Sequence, residues 1–350
     1  MLHGRRLMGL LFLALMALSF AGQDLFVQAK DDKTKDGKKT EVKKKDAPKD
    51  PTKTTMEWKF EKNKTFYQKM TTETTQNMKV MNNDVQQKQK QTFIFSWTPL
   101  DKDKDGKWTL EQKILAVQMD IDIGGSPIKY DSTSAAAGNA SNPLSEFFKA
   151  LVGSSFKVTI DPKTLKIAKI EGRDEFVKKL VSANQQMKPL LEKILSEDAL
   201  REMAEPTFAV IPNETVEKGK TWKKETKLDM GPIGKYKNEY TYKYEGTEKN
   251  LDKITVETKL TYLPPEKTDG LGGLPFRIKS AKLESKNGKG TVWFNREKGR
   301  VEKTDMTLDL EGTLKIEIGG QETEVKLNQT QKTDVQTSDT NPIETKPAGK

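Results

Sequence analysis

The chain has 350 residues, with 61 Lys and Arg against 51 Asp and Glu, a formal net charge of +10, one histidine and no cysteine. His3 lies in an N-terminal segment that is expected to be removed, so the mature chain would carry neither imidazole nor thiol. That excludes Ser-His-Asp and Cys-His nucleophilic catalysis and the common Cys/His zinc sites, and the expectation is a protein that is not an enzyme.

Residues 1–29 read as a secretory signal peptide. Arg5 and Arg6 supply its positive start, and Leu7 to Phe20 form an apolar run of 14 residues. That run is shorter than the roughly 20 residues a membrane span needs. Small-x-small cleavage sites fall after Ala21 and after Ala29. The chain is therefore expected to be exported, periplasmic or extracellular, with no transmembrane span once mature. Residues 30–55 are predicted to be a disordered, Lys-rich linker: Lys30 to Lys53 holds ten Lys against six acidic residues and almost nothing to bury. An anionic cell-envelope surface is one target for such a linker, and a solvated spacer is the plainer reading. In the body, Lys alternates with Glu, Asp and Thr as on a wet sheet face, and no nucleic-acid motif is present, so no nucleic-acid partner is expected.

Period-two alternation dominates the body, residues 56–330. Phe93, Phe95 and Trp97 share one face, as do Leu115, Val117, Met119, Ile121 and Ile123. Trp108, Leu110 and Ile114 lie in the opposite phase, which predicts a bulge near Ile114. Helical spacing is confined to the middle of the chain. Leu144 to Val152 form a short apolar helix, and Gly172 to Glu205 hold two or three more, with Asp174 and Ser196 as N-caps, Pro189 dividing the run and Pro206 ending it. Alternation then returns through Ile254 to Leu327. Turns are predicted at Asp161-Pro162-Lys163-Thr164, Asn287-Gly288, Glu297-Lys298-Gly299 and Gly319-Gly320, with a flexible tail over 331–350.

Strands, then helices, then strands give an α+β fold: a long, curved, half-barrel-like antiparallel sheet covered on one face by a central group of short helices. The two strand regions are either halves of one continuous sheet or two subdomains. The body also resembles a family of uncharacterised exported bacterial proteins, a domain of unknown function. The landmarks run in order: Asp105-Gly106, Tyr130-Asp131-Ser132, Phe156 to Pro162, Ile170-Glu171-Gly172, and Pro212 before Gly219-Lys220-Thr221-Trp222. The overall look is similar to the LolA/LppX-like half-barrels. That resemblance implies a sheet wrapped around helices with lipophilic cargo between them, while the lack of a lipidation cysteine departs from the lipoprotein members.

Two groups of residues are candidate sites. Asp101, Asp103, Asp105, Lys107 and Gln112 follow the first half of a calcium-binding EF-hand loop, with Gly106 at the sharp turn. Position twelve is Gln112 instead of a bidentate Glu, and strands flank the loop instead of helices, so a polar hairpin is the preferred reading over a weak calcium site. No other cofactor is expected. The second group, Phe147, Phe148, Leu151, Leu271 and Leu274, could line a pocket for a hydrophobic ligand, with ordinary core as the competing reading. The function expected from these readings is a non-enzymatic binding protein of the bacterial cell envelope, carrying or sensing a hydrophobic ligand or contacting another envelope component. The alternative is a structural envelope protein without a small ligand. A carboxylate- or calcium-dependent hydrolase ranks behind both, and the oligomeric state is not readable.

Overall fold

In the computed structural model, which describes residues 53–80, 83–134, 143–212, 214–265 and 276–344, the two strand-rich regions form one sheet. The first meander runs β2 (Phe66–Val80), β3 (Asn83–Lys102) and β4 (Trp108–Ile123). Strand β4 has two partners along its length: β5 (Ser126–Asp131) against its second half and β6 (Ser155–Asp161) against its first. A hairpin then leads to β7 (Lys166–Glu171). The second meander runs β9 (Thr221–Asp229), β10 (Lys235–Glu248), β11 (Leu251–Leu263), β12 (Arg277–Asn295), β13 (Arg300–Ile318) and β14 (Gln321–Ser338). Antiparallel pairing of β14 with β2, from Val325↔Val80 to Ser338↔Tyr67, joins the two meanders into a 12-stranded sheet. The sheet is not closed into a barrel, and β7 and β9 are its edges. A separate two-stranded ribbon pairs β1 (Lys53–Thr54) with β8 (Val216–Glu217).

Several local features follow the sequence. The β3–β4 register steps from Ile94↔Ala116 to Phe95↔Ile114, which leaves Leu115 as the extra residue of a bulge. That bulge brings the two apolar phases of β4 onto one face. Gly319 and Gly320 have φ of 57° and 82°, the paired left-handed conformation of a tight two-residue hairpin.

Other expectations are corrected. Asn287-Gly288 is not a turn: β12 runs straight through it, with a register shift between Ser285 and Asn287. Glycine is needed there for space, because a Cβ at 288 would lie 2.3 Å from the Thr258 carbonyl oxygen of the neighbouring strand. The tail expected over 331–350 is strand as far as Ser338, with Gln331, Thr333 and Val335 buried on one face. The linker expected over 30–55 gives way at its end to β1, in which Thr54 is buried. Residues 1–52 lie outside the described residues.

The helices are α1 (Pro143–Leu151), α2 (Arg173–Ala183), α3 (Lys188–Ile194) and α4 (Glu197–Ala209). Ser196 caps α4 by accepting a hydrogen bond from the Ala199 amide. Asp174 does not cap α2. Gly172 takes that place at φ 90°, where a Cβ would lie 2.9 Å from the Ser155 carbonyl oxygen, and Asp174 sits inside the first turn, where it favours the helix dipole. Pro206 does not end α4, and the chain stays helical to Ala209. Phe208, Ala209, Val210 and Ile211 beyond it are all buried. Burying three large apolar side chains at about 1.5–3 kcal/mol each outweighs the roughly 3 kcal/mol a proline costs inside a helix.

Helix α4 packs against both free edges of the sheet. Glu205 accepts a hydrogen bond from the Ile167 amide of β7 (3.1 Å), and Glu202 accepts one from the Asp229 amide of β9 (3.2 Å). One helix thus supplies acceptors to both edges, which would otherwise present unpaired amides to another chain.

Candidate functional site

The concave face of the sheet is apolar at its flanks and polar at its centre. In β2, β3 and β14, every second residue points to that face, and at the centre these residues are uncharged amides and hydroxyls. They stand in cross-strand register as three rows: Gln87–Gln76–Gln329, Gln89–Thr74–Gln331 and Gln91–Thr72–Thr333. All are between 0% and 4% exposed. The charges of the same strands, among them Glu73, Lys88, Lys90 and Lys332, lie in the opposite phase and are exposed.

The surroundings of this block are dry. On the β4 side its rows meet Ile123, Ile121 and Met119, and on the β13 side Leu310, Leu308 and Met306. Along β2 it is bounded by Met78 at one end and Met70 at the other. Leu190 of α3 packs with the β13-side core and Leu191 with the β4-side core, while Met187 and Ile194 pack against both. The Met187–Ile194 segment therefore spans the two apolar flanks.

Hydrogen bonding inside the block is incomplete. Gln76 Nε2 donates to Gln329 Oε1, Gln87 Nε2 to Gln89 Oε1 (3.3 Å) and Gln329 Nε2 to Gln331 Oε1 (3.5 Å), and the Thr72 and Thr333 hydroxyls stand 3.5 Å apart. Thr74 Oγ1, Gln76 Oε1, Gln87 Oε1, Gln89 Nε2, Gln331 Nε2 and both polar atoms of Gln91 have no hydrogen-bond partner among the described residues. A buried polar atom without a hydrogen bond costs about 1–3 kcal/mol, and a partly satisfied network costs more than an apolar core of the same shape. Rotating an amide exchanges its donor for its acceptor but does not create a partner. Seven of the buried polar side-chain atoms without a hydrogen-bond partner among the described residues lie in this block.

The predicted sites fare differently. The Asp101–Gln112 segment is a β3–β4 hairpin. Asp103 Oδ1 turns inward to accept from the amides of Asp105 (3.0 Å) and Lys107 (2.8 Å), and Asp101 pairs with Lys62 (3.0 Å), which holds its carboxyl below the usual range. Gln112 lies along β4, opposite Trp97. Among the described residues, no three His, Asp or Glu side chains are grouped as metal ligands, and Asp101, Asp103, Asp105, Lys107 and Gln112 lie along one β-hairpin. Phe148 and Leu151 of α1 are buried in the β4-side core with Tyr130, Ile121 and Val117, and Phe147 packs at its margin. Burial, helped by Glu146, pushes the Tyr130 phenol above its ordinary value. Leu271 and Leu274 lie outside the described residues.

Sequence reasoning missed the Gln/Thr block. Its signal was the confinement of charged residues to one phase of these strands, as in Lys88-Gln89-Lys90-Gln91. Among the described residues, Leu263 is the one large apolar side chain that is exposed, so the apolar surface is interior. No described helix is long and apolar enough to cross a membrane.

A family model described as a family of unknown function, DUF6263, matches residues 105–345, which leaves β1 to β3 ahead of the matched segment. No curated protein sequence matches the chain. Among solved structures, the chain is similar to lipovitellin, in a structure titled for its lipid–protein interactions, at 10% identity and a TM-score of 0.40. That match covers 83% of this chain and 26% of the other, so the chain spans about a quarter of lipovitellin's length. It is also similar to OccK5 (OpdH) of Pseudomonas aeruginosa, at 7% identity and a TM-score of 0.18, over 78% of this chain and 98% of that one. A DUF1329 family protein from Desulfovibrio piger matches at 8% identity and a TM-score of 0.13, over 76% of this chain and 84% of that one.

Proposed function

The chain belongs to the DUF6263 family of unknown function, and on that premise we propose that it is an exported, non-enzymatic binding protein of the bacterial cell envelope that holds a largely hydrophobic ligand between its sheet and its helices. The observation that carries this reading is the group of buried, unpartnered polar atoms at the centre of an otherwise apolar concave face. Grouped unpartnered polar atoms are costly in a filled core, whereas ligand sites are mostly apolar with a few polar groups that fix orientation. The leader-like residues 1–29 support export, and the lack of imidazole and thiol in the chain beyond them supports leaving catalysis out.

The test is extraction of the protein, purified from its native host, with organic solvent and mass spectrometry of the extract. A stoichiometric apolar or amphipathic molecule is the expected result. An empty extract, together with no uptake of a fluorescent fatty acid, overturns the reading.

The dense packing of Phe148 and Leu151 favours a second reading, in which the core is filled and the protein is a structural or interaction partner within the envelope. Under that reading the Lys-rich segment before β1 contacts an anionic surface, and deleting residues 30–52 reduces co-sedimentation with anionic wall polymer.

A further inference from the structure

We propose that the Gln/Thr block is the seat of an uncharged, hydroxyl- or amide-bearing head of an amphipathic ligand, whose apolar part lies along the methionine- and leucine-lined flanks. The inference rests on the reading of the interior as a ligand site and names the class of ligand that site takes.

The chemistry of the block selects the head. Acceptors (Gln76 Oε1, Gln87 Oε1, Gln91 Oε1) and donors (Gln89 Nε2, Gln91 Nε2, Gln331 Nε2) are both left open on neighbouring rows. A group that donates and accepts at once, a hydroxyl or an amide, answers both. A carboxylate or phosphate answers only the donors. The block contains no ionisable side chain, and neither do the positions bordering it on β4 and β13. A charged head would give up its hydration there with no opposite charge at these strand positions, whereas a neutral head pays only for hydrogen bonds that the amides replace.

The borders select the rest of the molecule. Met70 and Met78 bound the block along β2, Met119 adjoins it on β4 and Met306 on β13, and Met187 lies on the helical segment that spans both flanks. Unbranched thioethers refill space when a chain leaves and yield when one enters, so this border suits an aliphatic occupant that comes and goes. The polar rows fix where the head sits, and the adaptable border tolerates variation in the tail.

The test uses the full mature chain at pH 8. Binding of the apolar dye N-phenyl-1-naphthylamine reports any ligand site in the interior, and displacement by 1-monooleoylglycerol and by oleate reports the head. The expected result is dye binding, displacement by monooleoylglycerol at a concentration at least tenfold below that of oleate, and loss of this preference in the combined Gln89→Met, Gln91→Met, Gln331→Met variant while dye binding persists. If the dye and both lipids fail to bind, the ligand-site reading and this inference fall together. If the dye binds but the two lipids displace it equally, or the preference survives the substitutions, the ligand-site reading stands and the inference is overturned. Should the combined variant not fold, Gln91→Met alone serves, because Gln91 leaves both of its polar atoms open, and equal displacement by the two lipids in the unaltered chain overturns the inference in either case.

Discussion

Two groups of buried polar side chains occupy the same sheet and are treated in opposite ways. At the β10–β11 hairpin, Asp252 is fully buried, and its carboxylate receives the Arg296 guanidinium (2.6 Å), the Tyr244 hydroxyl (2.8 Å) and the Thr247 hydroxyl (3.1 Å). Arg296 also reaches Thr54 of β1 (3.4 Å), so the cluster ties the entering chain to the sheet. At the β3–β2–β14 centre, a larger polar group is equally buried and left with open donors and acceptors. Polar groups that serve only the fold are expected to satisfy one another, and in the hairpin cluster Asp252 Oδ1 accepts from two hydroxyls while Oδ2, without a hydrogen bond among the described residues, faces the Arg296 cation. The difference marks the hairpin cluster as a staple and sets the central block apart as the place proposed for a ligand.

The largest effect should come from Arg296→Ala. It leaves the Asp252 carboxylate buried without its counter-charge, and breaking such a pair typically costs about 3–5 kcal/mol. Chemical denaturation should show a loss near the lower figure, because the Arg296 side chain is itself 43% exposed. Dye binding per folded molecule should not change. The next contrast is one of sign. Tyr244→Phe removes a satisfied bond and should destabilise by about 0.5–1.5 kcal/mol. Gln91→Met removes two unpaired atoms and should leave unfolding free energy unchanged or raise it by about 1 kcal/mol. If Gln91→Met destabilises as Tyr244→Phe does, the block is a structural network and the comparison fails.

Most of the strand layout was legible in the sequence because charge and hydrophobicity alternate in step, as in Val117 to Ile123 with Asp120 and Asp122 between. The joining of the two halves was not. It depends on β14 pairing with β2, and both strands show uncharged polar residues on the buried face, so Gln331 and Thr333 read as loose tail, and Gln329 and Thr72 to Gln76 had no apolar alternation to mark them as core. The phase was nonetheless present: Met70 and Met78 continue the Thr72–Gln76 set on β2, and Val325, Leu327 and Val335 continue the β14 set, with the charges always on the other face. Polar identity hid burial at the centre of the sheet. The apolar helix around Phe147 and Phe148 drew attention for the opposite reason, since apolar side chains on a helix over a sheet make core whether or not a ligand is near.

Two smaller effects probe how the edges and the end of the sheet are held. Burial pushes Glu202 above the ordinary carboxylate range, with Asp229, Asp198 and Glu205 adding to the shift, while the Asp229 amide opposes it. An acid whose folded pKa is raised favours the fold in its protonated form. Its contribution is complete below the unfolded value of about 4.3 and is lost as pH rises through the raised folded value. Glu202→Gln keeps an acceptor for the β9 edge amide and removes that loss, so stability should stop falling with pH in this window, as thermal melts from pH 4 to 8 would show. An unchanged slope would mean that α4 does not hold the carboxylate in the dry gap between the edges.

The smallest effect belongs to Asp339, just beyond β14. Its side chain bonds Lys298 and Arg300, each at 2.7 Å, and these hold its carboxyl down at about 2. The sign is the reverse of Glu202: the contribution is present above the ordinary Asp value of about 3.9 and is lost as pH falls toward 2. The carboxylate is half exposed, so solvent screening limits the pair to the range of surface salt bridges, about 0.2–1 kcal/mol. Asp339→Asn should therefore barely move the global melt at pH 7. Its mark should be local, as faster amide hydrogen exchange at Val335 to Ser338, where β14 leaves the sheet, with exchange at Gln329 and Gln331 unchanged. If exchange at the central rows rises as well, the end of β14 and the polar block open as one unit, and the contrast between a stapled end and a receptive centre does not hold.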